Sequence, residues 1–433
     1  RFLLIPSCLD VQIFIHGGFL QFGSAKFSVY DATDLVSEFG RIIVVTIQYR
    51  INVFGFLAAK ELLETADDVA GNYGLLDQKA AVEWVHKHIS HFGGDPTRIT
   101  LWGQSAGAAS VHYQLHLLPP GLIRRAIISS GSVISPPPLQ SARPRFEKLC
   151  AALGIEPGKD DTTERLRAVK TKALLNAAIG VKEYWEPVVD GVTFKEGFGE
   201  RTEDNNWKAA GVDAVLVGSM RNEASFFLTS NPLYDLVGKY YRNVTLTDEA
   251  LSTLYPPDSY PNDYVRTGYI VSDGRYQAAA SRLIDILASD PTRRVYHYRF
   301  DRVPPVLGIM VGLVVRFLNG TLWKPWTWFS AIYGAGAFHG GDLFYLFYKT
   351  KPLWGSKEKV LARNMAGLLI GFVENGEMGG GWERVGAEGE QRDNVLILKE
   401  DGDVKIEREI FRAKQIRWWN EQKKMEVPEK LNE

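Results

Sequence analysis

The segment FGGDPTRITLWGQSAG, residues Phe92–Gly107, carries the strongest structural signal in this chain. Within it, the β-favouring run Ile99–Trp102 leads through Ser105 directly into a helical pattern. A serine at such a strand-to-helix turn has a strained backbone, so its neighbours must be small, and Gly103 and Gly107 meet that need. The turn also places Ser105 at a helix N-terminus, where free N–H groups favour a developing negative charge. We therefore predict that Ser105 is a nucleophile.

Other continuous apolar runs indicate strands that are covered on both faces, as in a parallel sheet. A helical pattern from Leu76 to Ile89, with Trp84 and Val85 among its apolar residues, lies between two of these runs, which is typical of a crossover unit. Asp401-Gly402 between two β segments indicates a hairpin. We predict an α/β fold with a mostly parallel central sheet, flanking helices and helical insertions. The runs are Val11–Ile15, Ile42–Gln48, Ile99–Trp102, Ala126–Ser130, Ala214–Gly218 and Arg294–Phe300.

Composition narrows the class of protein. The 433 residues are 45% hydrophobic and 23% charged, as in an ordinary globular protein, and 50 Lys+Arg against 51 Asp+Glu argue against a nucleic-acid partner. The uncharged stretches Val303–Val315 and Pro325–Gly341 are too short or too rich in glycine for a transmembrane segment. No repeat or linker divides the chain, so we predict a single domain over residues 1–433.

Two features bear on metal binding. The two cysteines exclude a four-thiolate site. His112 and His116 lie one helical turn apart, but no carboxylate accompanies them in an HExxH arrangement. We expect no metal ion.

A nucleophilic serine at such a turn is followed along the chain by an acid and then by a histidine that acts as base. Six of the eight histidines lie within the first 116 residues, which leaves His297 and His339. His297 is inside an alternating strand, where the sheet would lock its side chain. His339 lies in the glycine-rich loop GAGAFHGGD, where a catalytic imidazole can be presented. We predict that His339 is the base.

The acid that orients His339 should lie between the serine and the histidine. Glu223 comes a few residues after the strand Ala214–Gly218, at the carboxyl end where α/β sheets build their sites. Asp213 is the second choice, but it precedes the strand and therefore points to the other end. We predict that Glu223 is the acid.

An oxyanion hole requires backbone N–H groups near the serine. Ala106, the residue after the nucleophile, supplies one. The loop that follows the first strand supplies Gly18 and Phe19. We predict that these three N–H groups form the hole.

These segments together resemble the type-B carboxylesterase and lipase family, which includes the cholinesterases. The resemblance covers nearly the whole chain and implies an α/β-hydrolase fold. It also implies hydrolysis of a small carboxylic ester through a serine acyl-enzyme with the triad Ser105, Glu223 and His339, without a cofactor, and a serine at Ser130 that supports the acid. Besides the serine stretch and the segment around Glu223, the similar segments are Tyr49–Leu57, Gly71–Gln78, Arg124–Ser132, Pro187–Gly191 and Gly336–Phe347.

Two residues depart from the family pattern at the predicted site. Phe19 replaces the third glycine of the oxyanion loop, and its benzyl group can crowd the pocket and disturb the turn. Gln104 stands before the nucleophile, where the family commonly has glutamate. The lost negative charge argues against a cationic choline ester as substrate.

Other departures lie further from the site. Only 15 residues precede His16, so the usual N-terminal segment is expected to be missing. The partner of Cys8 in the family is absent, and a bridge to Cys150 is an alternative. Val303–Ala337 fits the family poorly and is either a lid or substrate-binding insertion or a misassembled gene model. Sequons at Asn243 and Asn319 fit a secreted glycoprotein, as many relatives are.

A second function stays open at this point. Some relatives are adhesion proteins that keep the fold and lack the serine. The alternative is therefore a catalytically impaired or non-catalytic protein, with a binding role or as a truncated product.

Overall fold

The computed structural model describes residues 8–63, 69–131, 136–195, 198, 211–226, 247–302, 337–349, 355–379, 381–385, 394–398, 404–408 and 412–424. Strands and helices alternate along most of the chain. The strands are β1 Leu9–Ile15, β2 Ile42–Ile47, β3 Gly94–Gln104, β4 Arg125–Ser129, β5 Ala214–Met220, β6 Arg294–Phe300, β7 Asn394–Leu398 and β8 Val404–Arg408. The helices are α1 Thr33–Phe39, α2 Asn52–Phe56, α3 Tyr73–His88, α4 Ala106–Leu117, α5 Arg143–Ala152, α6 Thr162–Ala168, α7 Thr171–Gly180, α8 Asp248–Leu254, α9 Asp263–Ser272, α10 Ala278–Ala288, α11 Leu343–Leu346, α12 Ser356–Asn375 and α13 Ala413–Lys424.

The strands form an eight-stranded sheet in the order β2-β1-β3-β4-β5-β6-β7-β8. β1 pairs with β3 in parallel, and so do β4 with β5, β5 with β6 and β6 with β7. β7 and β8 are antiparallel, as the hairpin signal indicates. Every residue of β4 and β5 is buried, as expected for strands with continuous apolar runs. The prediction of an α/β fold with a mostly parallel sheet and flanking helices is confirmed.

The chain groups into two compact units, each made of segments that are not contiguous in sequence. The first comprises the described residues within 1–27, 45–124 and 133–211. The second comprises those within 28–44, 125–132 and 212–433. The single domain over residues 1–433 stays a prediction.

Helix α3 shows how packing selects among apolar residues. Val85 is buried, whereas the neighbouring Trp84 is 54% exposed. Consecutive helical residues lie about 100° apart around the axis, so a helix that buries Val85 in its core-facing strip turns Trp84 outward. Apolar character alone therefore does not show that the side chain of Trp84 faces away from the core.

Both cysteines are free, so the alternative of a bridge between Cys8 and Cys150 is wrong. Cys150 is buried in an apolar cluster with Phe146 and Leu166. Burial raises the pKa of its thiol to about 11, so the thiol is neutral at physiological pH.

Some expectations concern residues that lie outside the described ranges. These are both sequons, at Asn243 and Asn319, and residues 303–336 of the segment Val303–Ala337. Among the helices that the structure does describe, none is at once long and apolar enough to cross a membrane.

Gly218 of β5 offers a test of the packing in the second unit. A methyl group at this position would overlap the ring of Tyr298 on β6. We expect Gly218→Ala to lower the free energy of unfolding by about 1–3 kcal/mol, as overpacking does in a tight core. Urea unfolding followed by tryptophan fluorescence measures the change.

Gly180→Ala is the matched control, because among the described residues no atom beyond the backbone of α7 itself and the two chain neighbours lies within 4 Å of the added methyl. Helix propensity predicts that it is neutral or stabilising by up to about 1 kcal/mol. Equal stability of the two variants would contradict the packing argument.

Candidate active site

The turn around Ser105 has the strained geometry that the sequence predicts. Ser105 lies between β3 and α4 with φ 60° and ψ −125°. A side chain at Gly103 would overlap the carbonyl of Gly107, and one at Gly107 would overlap the carbonyl of Ile15. Glycine is therefore required on both sides of the serine, and Ser105 is the N-cap of the helix that begins at Ala106.

The loop that follows β1 packs against this turn. A Cβ at Gly17 would lie 2.8 Å from the carbonyl oxygen of Gln104 and 2.9 Å from Cβ of Ser105. The next residues have positive φ angles, 113° at Gly18 and 55° at Phe19. The first unit thus brings the loop that carries two of the predicted oxyanion donors next to the predicted nucleophile.

His16, at the start of this loop, is held by contacts of both its ring and its backbone. Its ring stacks on Tyr49 with centroids 4.5 Å apart, and the Tyr49 hydroxyl donates to the His16 carbonyl at 2.9 Å. Nδ1 of His16 lies 2.8 Å from the carbonyl oxygen of Gly17. Desolvation lowers the pKa of His16, so the imidazole is neutral at physiological pH and Nδ1 donates to that oxygen.

In the second unit, Glu223 and His339 form a hydrogen-bonded pair. Nδ1 of His339 lies 2.7 Å from Oε2 of Glu223, and Oε1 of Glu223 accepts from the backbone N–H of Met220 at 2.8 Å. Glu223 is 0% exposed and lies just after the end of β5. A buried carboxylate on Nδ1 keeps the proton there and leaves Nε2 as the basic nitrogen.

The second choices for acid and base lie elsewhere in the same unit. Asp213 forms an ion pair with Arg294 at 3.3 Å, and it lies at the opposite end of β5 from Glu223. His297 is on β6, and desolvation lowers its pKa to about 3. The geometry therefore favours Glu223 and His339 over both.

Three residues around this pair were not indicated by any sequence pattern: Asn222, Ser272 and Tyr276. The Ser272 hydroxyl accepts from the N–H of Ala224 at 2.9 Å and lies 2.9 Å from Oδ1 of Asn222. It therefore holds the turn that contains Glu223 in place. The ring of Tyr276 lies 5.1 Å from the His339 imidazole. Tyr276 belongs to a π-helical turn, Asp273–Gln277, a feature frequent at functional sites.

A second buried carboxyl lies close to the pair. Asp342 is fully buried, and its Oδ2 accepts from the hydroxyl of Tyr298 at 2.6 Å. That hydroxyl is also 2.9 Å from Oγ of Ser129. Desolvation, with a further contribution from the charge of Glu223, raises the pKa of Asp342 to about 6.

Ser130 is buried next to the end of β4. Its backbone has φ 55°, and its N–H donates to the carbonyl of Gly218 at 2.8 Å. Its hydroxyl makes no hydrogen bond to any residue that the structure describes. The support of Glu223 by Ser130 stays a prediction.

His112 is buried in α4, and His116 is half-buried one turn further along the same helix. Their rings stack with centroids 5.6 Å apart, and burial lowers the pKa of His116 to about 4. The described part of the chain contains no group of three side chains that could hold a metal ion.

The chain belongs to the carboxylesterase family, whose pattern matches residues 5–419. Its structure is similar to that of a solved PNB esterase, with a TM-score of 0.73 and 25% identity over 96% of this chain and 82% of the other. A carboxylesterase of Geobacillus stearothermophilus gives a TM-score of 0.77 and 28% identity, covering 96% and 83% of the two chains.

Curated relatives are esterases as well. An uncharacterized esterase/lipase of Schizosaccharomyces pombe is 32% identical over 68% of this chain and 61% of its own. The para-nitrobenzyl esterase of Bacillus subtilis is 31% identical over 72% and 64%. The acetylcholinesterase of Electrophorus electricus is 35% identical over 52% and 36%. The chain thus spans less than two thirds of the length of these relatives.

The buried carboxyl of Asp342 predicts a pH dependence of stability. Its pKa is about 6 in the folded chain and about 3.9 when unfolded, so the folded state holds the proton more tightly. Asp342 should therefore contribute a fall in the unfolding free energy as the pH rises from 4 to 6, by about 3 kcal/mol at most. Asp342→Asn removes this contribution and raises the stability at neutral pH, while the buried Asp273, whose pKa desolvation also raises to about 6, keeps its own contribution in both chains. Urea unfolding at several pH values measures the difference between the two chains.

Asp258→Asn removes one carboxyl from an exposed position and serves as the control. Its unfolding free energy should follow that of the unmodified chain across the same pH range. An unchanged slope in Asp342→Asn would show that Asp342 is already ionised at low pH.

Proposed function

We propose that this chain hydrolyses carboxylic esters, with Ser105 as nucleophile, His339 as base and Glu223 as the acid that orients the base. One observation carries the proposal: Nδ1 of His339 is 2.7 Å from the buried Glu223 carboxylate, which leaves Nε2 to accept a proton. Membership of the carboxylesterase family and the strained turn at Ser105 support it.

The reaction then has two steps. Oγ of Ser105 attacks the ester carbonyl carbon while Nε2 of His339 takes the hydroxyl proton, and the same proton passes to the alcohol as its C–O bond breaks. Water attacks the acyl carbon next and gives a proton to His339, which returns it to Oγ as the carboxylic acid leaves. Atoms and charges balance without a cofactor.

Backbone N–H groups of Gly18, Phe19 and Ala106 hold the oxyanion in both steps. Their value lies in the transition state, because the carbonyl oxygen gains its charge only there. The loss of one such donor costs about 2.7–4 kcal/mol of barrier in known cases.

The substrate is a small carboxylic ester without a cationic alcohol group. Gln104 is buried directly before the nucleophile, and it is neutral where a glutamate would supply a negative charge. An uncharged residue at that position gives no electrostatic preference for a quaternary ammonium group.

A fluorophosphonate probe tests the nucleophile. We expect the probe to label the folded chain and Ser105→Ala to abolish labelling, because phosphonylation needs an activated serine. Ser90→Ala changes an exposed serine and should label normally. Absence of labelling on the pure, folded chain would favour the alternative of a non-catalytic family member.

The acid can be tested with two substitutions at opposite ends of β5. Glu223→Gln keeps the size of the side chain but presents an N–H to Nδ1, which favours the wrong imidazole tautomer. We expect kcat for p-nitrophenyl acetate to fall by about 10⁴-fold, as in the corresponding change of other triads.

Asp213→Asn is the matched control, and its kcat should stay at the level of the unmodified chain. A similar loss in both variants would indicate a general effect on folding. Full activity of Glu223→Gln would exclude it as the triad acid.

A further inference from the structure

Phe19 has a backbone conformation that residues with a side chain rarely adopt. Its φ angle is 55°, and that of the following Leu20 is 64°. A non-glycine residue is disfavoured in this region by a factor of about 5 to 150. The glycine found here in the resembling family carries no such penalty. The loop of this chain therefore needs contacts that compensate for Phe19.

The peptide groups on both sides of Phe19 are held by hydrogen bonds. The carbonyl of Gly18 accepts from the backbone N–H groups of Gln21 and Phe22, at 2.9 and 3.0 Å. The carbonyl of Phe19 accepts from the hydroxyl of Tyr184 at 2.6 Å and from Nε2 of Gln21 at 3.2 Å. In a trans peptide the N–H points opposite to the carbonyl of the preceding residue, so the bonds to the Gly18 carbonyl set the direction of the Phe19 N–H. The bonds to the Phe19 carbonyl fix the next peptide plane, and the two planes together hold Phe19 at its φ of 55°.

Tyr184 donates from a well-anchored segment of the same unit. The neighbouring Trp185 is 1% exposed, and its carbonyl and N–H both bond to the side chain of Gln21, at 2.6 and 3.3 Å. Nη1 of Arg145 contacts the Tyr184 carbonyl at 3.2 Å and the Glu186 carboxylate at 3.0 Å. The hydroxyl of Tyr184 therefore reaches Phe19 from a fixed backbone.

We propose that Tyr184 is a positioning residue, whose hydroxyl holds Phe19 in the left-handed conformation that directs the Phe19 N–H into the oxyanion hole. The inference rests on the proposed function, because it assigns that N–H to the oxyanion. The hydrogen bond from Tyr184 thus stabilises a backbone conformation at position 19 that a glycine would adopt without such support. Its effect falls on the transition state, where the oxyanion forms, and not on substrate binding.

Four forms of the full chain test this inference: unmodified, Tyr184→Phe, Phe19→Gly and the double variant. Tyr184→Phe should lower kcat for a p-nitrophenyl ester about tenfold with KM nearly unchanged, a fraction of the loss caused by removing a donor. Affinity for a trifluoromethyl ketone, whose adduct carries an oxyanion, should fall by the same factor. With glycine at position 19, the same change should alter kcat less than about twofold, because glycine needs no support.

Tyr73→Phe is the matched control, because the Tyr73 hydroxyl also donates to a backbone carbonyl, that of Val69 at 2.9 Å. Its kcat should equal that of the unmodified chain. An equal loss from Tyr184→Phe in both backgrounds would overturn the inference, and so would a change confined to KM.

Hydrogen–deuterium exchange separates this inference from the proposed function. Tyr184→Phe should speed amide exchange in the peptide covering residues 17–23, whether or not the chain turns over an ester. Unchanged exchange in this peptide would overturn the role of Tyr184. Faster exchange in a chain that hydrolyses no ester would instead contradict the proposed function.

Discussion

The first unit depends on backbone atoms that approach more closely than any side chain allows. Gly103, Gly107 and Gly17 each lie where a Cβ would meet the backbone or the side chain of a neighbouring segment. Because these glycines have no side chains, β1, β3 and α4 can converge at Ser105. The close packing holds Ser105 at its strained φ of 60°. The loop after β1 takes its position from the same contacts, so the places of the proposed nucleophile and of the proposed oxyanion donors follow from one packing constraint.

The second unit depends on burial of charge. Glu223 is removed from water, and the N–H of Met220 and the imidazole of His339 replace its solvation. Desolvation likewise raises the pKa of Asp342, with a further contribution from the charge of Glu223, while the hydrogen bond from the Tyr298 hydroxyl favours the carboxylate. Glu223 pairs with His339, while Asp342 joins the histidine loop to β6.

Local sequence signals predicted a large part of both units. The strands of the sheet, the turn at Ser105 and the pairing of Glu223 with His339 follow from runs of apolar residues, glycine positions and chain order. Tyr184 and Ser272 were not predicted, because each acts on a residue far away in sequence. The exposure of Trp84 also could not be predicted, because apolar character does not reveal which strip of a helix faces the core.

The family, the fold class and the residue types of the candidate site could all be inferred from the amino-acid sequence, because these depend on short-range patterns and on residue types. How the candidate residues are supported became visible only in the folded chain. The bond from Tyr184 to Phe19 and the raised pKa of Asp342 both arise from segments that are distant along the chain. Desolvation and hydrogen bonding depend on what surrounds a group in space, and a linear pattern does not contain that information.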